Sequence, residues 1–131
     1  MFPKALAARP DIICIDLEDA IAPPDKASAR AATLELFNHL PDNPGDCELL
    51  VRVNSLRTAD GLADLLAVVN SDTPPPGLML PKIKSPDEVR LLDEILDSID
   101  AEMRLQLIIE TNEGLEACHE IARASERTDA L

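Results

Sequence analysis

Cysteine and histidine are scarce in this chain. Cys14, Cys47 and Cys118 lie far apart with no C-x-x-C pair, and neither His39 nor His119 has a second ligand four residues further along the chain. These spacings disfavour a zinc knuckle or a disulfide framework, so the thiols read as small core or surface side chains. Long apolar runs are missing too: nothing approaches the ~20 residues of a membrane span, and no basic-then-apolar start marks a signal peptide. A cytoplasmic location with no membrane partner is the expectation. Bases are outnumbered, with twelve Lys and Arg against twenty-five Asp and Glu and a net charge of −13. The resulting field repels polyanions, which argues against nucleic acid or an anionic membrane as a partner. A small anionic substrate would need a local positive group or a metal.

What is present is a soluble globular composition, 46% hydrophobic and 28% charged, in 131 residues. That length supports one domain with a real core but is short of the roughly 250 residues of a complete β/α barrel. The organising stretch is Asp11 to Lys26, in which Ile12, Ile13, Cys14 and Ile15 run unbroken into Asp16, Glu18 and Asp19. The run reads as a strand buried on both faces, as in a parallel sheet. Carboxylates packed this closely repel one another, so they are either a strand end solvated by water and cations or part of a metal site.

The rest alternates strand and helix. Lys4 to Ala8 looks like the last turns of a helix. Asp25 can cap a helix from about Lys26 to Leu40, with Ala27, Ala31, Leu34 and Phe37 on one face. The turn-rich segment 41–46 ends it. A second strand, Glu48 to Asn54, precedes a helix from Gly61 to Val69 capped by Asp60. A third, Leu78 to Ile83, leads into Ser85-Pro86-Asp87-Glu88, which has the form of a capping box. Val89, Leu92, Leu96 and Ile99 would be the buried stripe of that helix. A fourth strand, Arg104 to Glu110, precedes a helix from Glu113 to Ala124 that would bury Leu115, Cys118 and Ile121. The segment Thr128 to Leu131 begins another strand. The fold class is α/β: about four consecutive β/α units with parallel strands and right-handed crossovers, in a single domain over 1–131, which the family resemblance given below makes a partial (β/α)8 barrel.

The polar residues gather at the C-terminal ends of these strands, where parallel β/α proteins place their sites: Asp16, Glu18 and Asp19; Arg52 and Asn54; Lys82; Glu110 and Asn112. Period-two alternation puts Asp16 with Glu18, and Arg52 with Asn54, on common faces, so one pocket could receive them all. Each could equally be a solvated strand end. The set has no nucleophile–base pair. Magnesium prefers a few carboxylates, waters and substrate oxygens, and an arginine fork suits a carboxylate or keto oxygen. Together they would polarise a 2-oxo acid and stabilise an enolate or alkoxide as a carbon–carbon bond breaks or forms.

The motif D-I-I-C-I-D-L-E-D-A from Asp11, with Asp25-Lys26, Ala29-Arg30, Val51-Arg52-Val53-Asn54, Leu80-Pro81-Lys82 and Ile109-Glu110-Thr111 in order, resembles the signature of the citrate lyase beta subunit-like, or HpcH/HpaI aldolase, family. The resemblance covers nearly the whole chain. It implies a TIM barrel and magnesium-dependent cleavage of a 3-hydroxy-acyl-CoA, such as citryl-, malyl- or citramalyl-CoA, to acetyl-CoA and a 2-oxo acid. The partners would be an acyl-CoA or acyl-carrier thioester, the 2-oxo acid and further copies in a homo-oligomer. By position Glu110 would be a magnesium ligand and a catalytic residue, and Arg52 the catalytic residue that binds the oxo acid. Glu18 and Asp19 would order waters around the metal, and Lys4 would reach toward coenzyme A. In the family a further aspartate ligand, a lid and more barrel units follow the part matched here, and Lys84 stands where relatives often carry glutamate. Other enolate-handling aldolases acting on free oxo acids share the metal logic. A non-catalytic half-barrel that binds a partner is the alternative of another kind, and a half-barrel alone would expose two sheet edges and an apolar face, favouring self-association.

Overall fold

The computed structural model describes residues 2–40 and 47–131; the segment 41–46, read above as a turn, lies outside them. Five strands, β1 (Ile12–Asp16), β2 (Glu48–Arg52), β3 (Gly77–Leu80), β4 (Arg104–Leu107) and β5 (Thr128–Ala130), form one sheet in the order 1-2-3-4-5, every neighbouring pair parallel. Strands that always step to the same side through right-handed crossovers must lay every connecting helix on the same face. The helices are α1 (Phe2–Ala7), α2 (Lys26–Asn38), α3 (Ala59–Val69), α4 (Pro86–Ser98), α5 (Asn112–Glu116) and α6 (Cys118–Ala122). This winding is that of a barrel wall rather than of a doubly wound sheet, which reverses direction partway.

The core lies between sheet and helices. Ile13, Leu49, Val51, Leu78, Leu80, Leu105 and Leu107 alternate toward Phe37, Leu65, Val68, Val89, Leu92, Leu96 and Ile121. The opposite face carries the other half of each strand, and there β1 departs from expectation. Ile12 is 47% exposed and Cys14 is exposed, so β1 is covered on one face only. An unbroken apolar run shows that both faces suit an interior, but burial depends on what packs there. Leu50, on this same open side, is shielded because Gly77 of β3 lets its side chain lie flat; a Cβ at Gly77 would meet Leu50 Cδ2 at 2.4 Å.

Several boundaries shift. The strands β2, β3 and β4 stop at Arg52, Leu80 and Leu107, two to three residues earlier than their patterns suggest. Thr58, not Asp60, caps α3, its hydroxyl accepting from the Gly61 N–H at 3.0 Å. The box at Ser85 forms, Glu88 accepting from the Ser85 N–H at 3.1 Å, whereas Asp25 makes no side-chain cap. The last helix breaks at Ala117 into α5 and α6, which leaves Leu115 exposed; Ile99, just past α4, is also exposed. In α2 the inward stripe is Lys26, Ala29, Arg30, Thr33 and Phe37, not the alanines Ala27 and Ala31, which face solvent. His39 lies one residue past α2 and pairs with Glu35 at 2.8 Å.

Thr111 repeats the Thr58 device, its hydroxyl accepting from the Gly114 N–H at 2.9 Å. In both helices the glycine at this position faces a carbonyl of a preceding loop: a Cβ would come to 2.0 Å from Ser55 O at Gly61 and to 2.2 Å from Ile83 O at Gly114. Backbone cannot yield as a flexible side chain does, so Gly61→Ala should cost about 1–3 kcal/mol through overpacking. A fall in the urea midpoint at unchanged m-value is the expected readout.

Candidate functional site

The C-terminal rim is built on a buried polar layer. Asp64, 1% exposed on α3, accepts from the Asn54 N–H at 2.8 Å, from Asn54 Nδ2 at 2.7 Å and from Arg30 Nε at 2.6 Å. Asn54 also donates to Leu17 O at 2.9 Å and accepts from Lys26 Nζ at 2.5 Å. The same ammonium donates to Leu17 O at 2.9 Å and Glu18 O at 2.6 Å. Asp64 is paired with Arg30, and the Lys26 ammonium, although it meets no carboxylate, is satisfied by three oxygen acceptors, as burial requires. Asn54 is therefore not in the pocket with Arg52. Alternation holds only while a strand lasts, and β2 has ended, so Asn54 turns under the rim at 6% exposure. Asp64 was not legible as functional, although an acid on the apolar stripe Gly61-Leu65-Val68 was the available signal.

Above this layer lie the rim residues. Arg52 Nε and Nη2 donate to the two oxygens of Asp16 at 2.9 and 2.5 Å, a fork on a carboxylate. Asp16 is braced in turn by the N–H groups of Glu18 and Ala20 at 2.8 and 3.2 Å. The guanidinium holds the Asp16 carboxyl below its ordinary range, and Asp16 pushes Arg52 further up. Arg52 Nη1 is 3.5 Å from Glu18 Oε2. Glu18, 4% exposed, has Lys82 Nζ 2.7 Å from Oε1, yet the approach lies off hydrogen-bond angles and neither oxygen accepts a hydrogen bond. Its contact with Glu18 raises the Lys82 ammonium. Lys82 also lies 3.7 Å from Asp19, and its backbone N–H donates to Glu110 Oε1 at 3.1 Å.

The structure thus links Asp16, Glu18, Asp19, Arg52, Lys82 and Glu110. Glu110 is exposed, three residues beyond β4. Exposed Asn112 begins α5 and is not among the linked residues, and Lys4 is exposed on α1 with no polar contact to the rim. Lys84, at the neighbouring edge, pairs with Glu113 at 3.1 Å. Four carboxylates against two cations leave two negative charges in excess, a set suited to a divalent cation with waters and unsuited to an anion alone. The two unpartnered oxygens of Glu18 fit water-mediated contact with such an ion. Among the described residues no group of three His, Cys, Asp or Glu is close enough to hold a metal by itself. No helix among them is long and apolar enough to cross a membrane.

One-sided winding and a mixed acid–arginine rim at the strand ends define a β/α-barrel type of protein. The chain belongs to the HpcH/HpaI aldolase/citrate lyase family, whose profile matches residues 1–131. It is 32% identical over its whole length to an L-malyl-CoA/beta-methylmalyl-CoA lyase of Cereibacter sphaeroides, covering 43% of that protein. To the citrate lyase subunit beta of Haemophilus influenzae it is 31% identical, with 97% of this chain and 45% of the relative aligned. The structure of RipC from Yersinia pestis superposes with a TM-score of 0.78 at 31% identity, over 94% of this chain and 51% of RipC. The Mycobacterium tuberculosis protein CitE, solved with magnesium and acetoacetate, superposes at 0.74 and 32% identity, over 98% of this chain and 46% of CitE. The chain spans less than half the length of these curated relatives.

The Asp16–Arg52 fork has a consequence in acid. A carboxyl with a lowered folded-state pKa contributes stability that is complete above its unfolded pKa, about 3.9, and is lost as pH falls through the lower folded value. In acid titration of unfolding, Asp16→Asn should remove part of that loss, while Arg52 variants remove the fork and lower stability at neutral pH.

Proposed function

We propose that the protein containing these residues is a magnesium-dependent carbon–carbon lyase that cleaves a 3-hydroxy-acyl-CoA, of the citryl-, malyl- or citramalyl-CoA kind, to acetyl-CoA and a 2-oxo acid. One observation carries this reading: an arginine, fixed by a fork on Asp16, stands in a rim with two negative charges in excess. The family and the names of its relatives support the reaction class, and the magnesium in the CitE structure supports the ion.

Glu110 would ligate the magnesium, and Glu18 and Asp19 would accept hydrogen bonds from its waters. Bound magnesium would supply Lewis-acid polarisation of the oxo-acid oxygens. Arg52, its Nε and Nη2 engaged with Asp16, would turn Nη1 toward the oxo-acid part of the substrate. There the fixed guanidinium orients the substrate and offsets negative charge that grows on it as the carbon–carbon bond changes, without reorganising first. Lys4 would meet the coenzyme A portion. The 131 residues would form one partial barrel domain of a protein that assembles with further copies of itself.

Calorimetric titration of magnesium in the presence of a 2-oxo acid tests the site. Saturable binding that vanishes in Glu110→Gln, with the unfolding midpoint nearly unchanged, is the expected outcome; wild-type binding in that variant would remove Glu110 from the ligand set. Arg52→Lys keeps the charge but loses the fork, so it should raise KM for the oxo acid in the condensation direction by about tenfold or more. An unchanged KM would dismiss Arg52 as the oxo-acid residue.

A further inference from the structure

Lys82 has no place in the reading above, yet three observations single it out. Its backbone is left-handed, φ 56, which costs a non-glycine residue energy and persists only where surroundings impose it. That conformation lets one residue address two strands, its N–H on Glu110 of the β4 end and its ammonium against Glu18 of the β1 end. Thirdly, Glu18 is contested: Lys82 Nζ holds Oε1 at 2.7 Å while Arg52 Nη1 stands 3.5 Å from Oε2. Arg52 Nη1 makes no hydrogen bond among the described residues, the other two nitrogens being engaged by Asp16.

We propose that Lys82 is a positioning residue that holds Glu18 away from Arg52, keeping Nη1 available to an anionic oxygen of the substrate. A buried carboxylate without hydrogen bonds takes the nearest strong donor. With the ammonium removed, that donor is Arg52 Nη1, one ångström or less beyond hydrogen-bond reach. Glu18 would then complete its pairing with Arg52 and compete with substrate for the same edge. Lys82, 47% exposed at its side chain, can be changed without opening the core. This inference rests on Arg52 as the oxo-acid residue.

The test is calorimetric binding of pyruvate, a simple 2-oxo acid, at saturating magnesium, with thermal melts on each variant of the intact protein. Lys82→Met should weaken pyruvate binding about tenfold, the size of one charge-assisted hydrogen bond, and Lys82→Arg should bind as the wild type does. The decisive comparison takes Glu18→Gln as its reference: a neutral amide no longer claims the guanidinium, so adding Lys82→Met to Glu18→Gln should change pyruvate affinity by less than about threefold, against the tenfold loss in the wild-type background. A merely structural role for Lys82 would give the same loss in both backgrounds. Wild-type affinity in Lys82→Met, or an equal loss in the two backgrounds, overturns the proposal while leaving Arg52 in place. Undiminished binding in Arg52→Met removes the reading beneath it as well.

Discussion

The rim depends on the buried carboxylate of Asp64. By accepting from the Asn54 backbone, the Asn54 amide and Arg30, it ties the end of β2 to α2 and α3 at a buried position, where a lost partner leaves a polar group unsatisfied. Asn54 passes the constraint to Lys26, and Lys26 to the carbonyls of Leu17 and Glu18. The loop carrying Glu18 and Asp19 is thus held from below by a cation. Removing Asp64 or Arg30 leaves the other charge without its counter-ion in this layer, which costs several times what a surface pair contributes.

The two layers divide the work by charge. Below, Asp64 is matched by Arg30 and the Lys26 ammonium is satisfied by three neutral oxygens, so the layer is a floor held by its own hydrogen bonds. Above, acids exceed cations, and Glu18 meets positive charge without good hydrogen bonds. That imbalance is tolerable at a solvent-facing rim, where water and mobile ions screen it, and it leaves a local field that favours a cation over an anion. Arg52 joins the two regimes: its fork on Asp16 is saturated, and its remaining edge faces the rim.

Apolar runs, turn residues and the capping box at Ser85 determined the order of strands and helices, because these are local signals with a fixed chemical meaning. Strand direction then followed from the alternation, and with it the gathering of Asp16, Glu18, Arg52 and Glu110 at one rim, since in a parallel sheet all C-terminal ends lie together. Tertiary structure decided the rest. Asn54 left the face of Arg52 because pairing of β2 ended first. Lys26 and Arg30, which a helix pattern assigns to solvent, turned inward because Asn54 and Asp64 were there to receive them. Lys82 took a left-handed backbone that no local preference of lysine favours, and Ile12 and Cys14 stayed exposed because burial belongs to the packing partner and not to the strand. The sequence by itself determined which groups could meet; only the packed structure decided which of them are bonded to each other and which edge of Arg52 remains open.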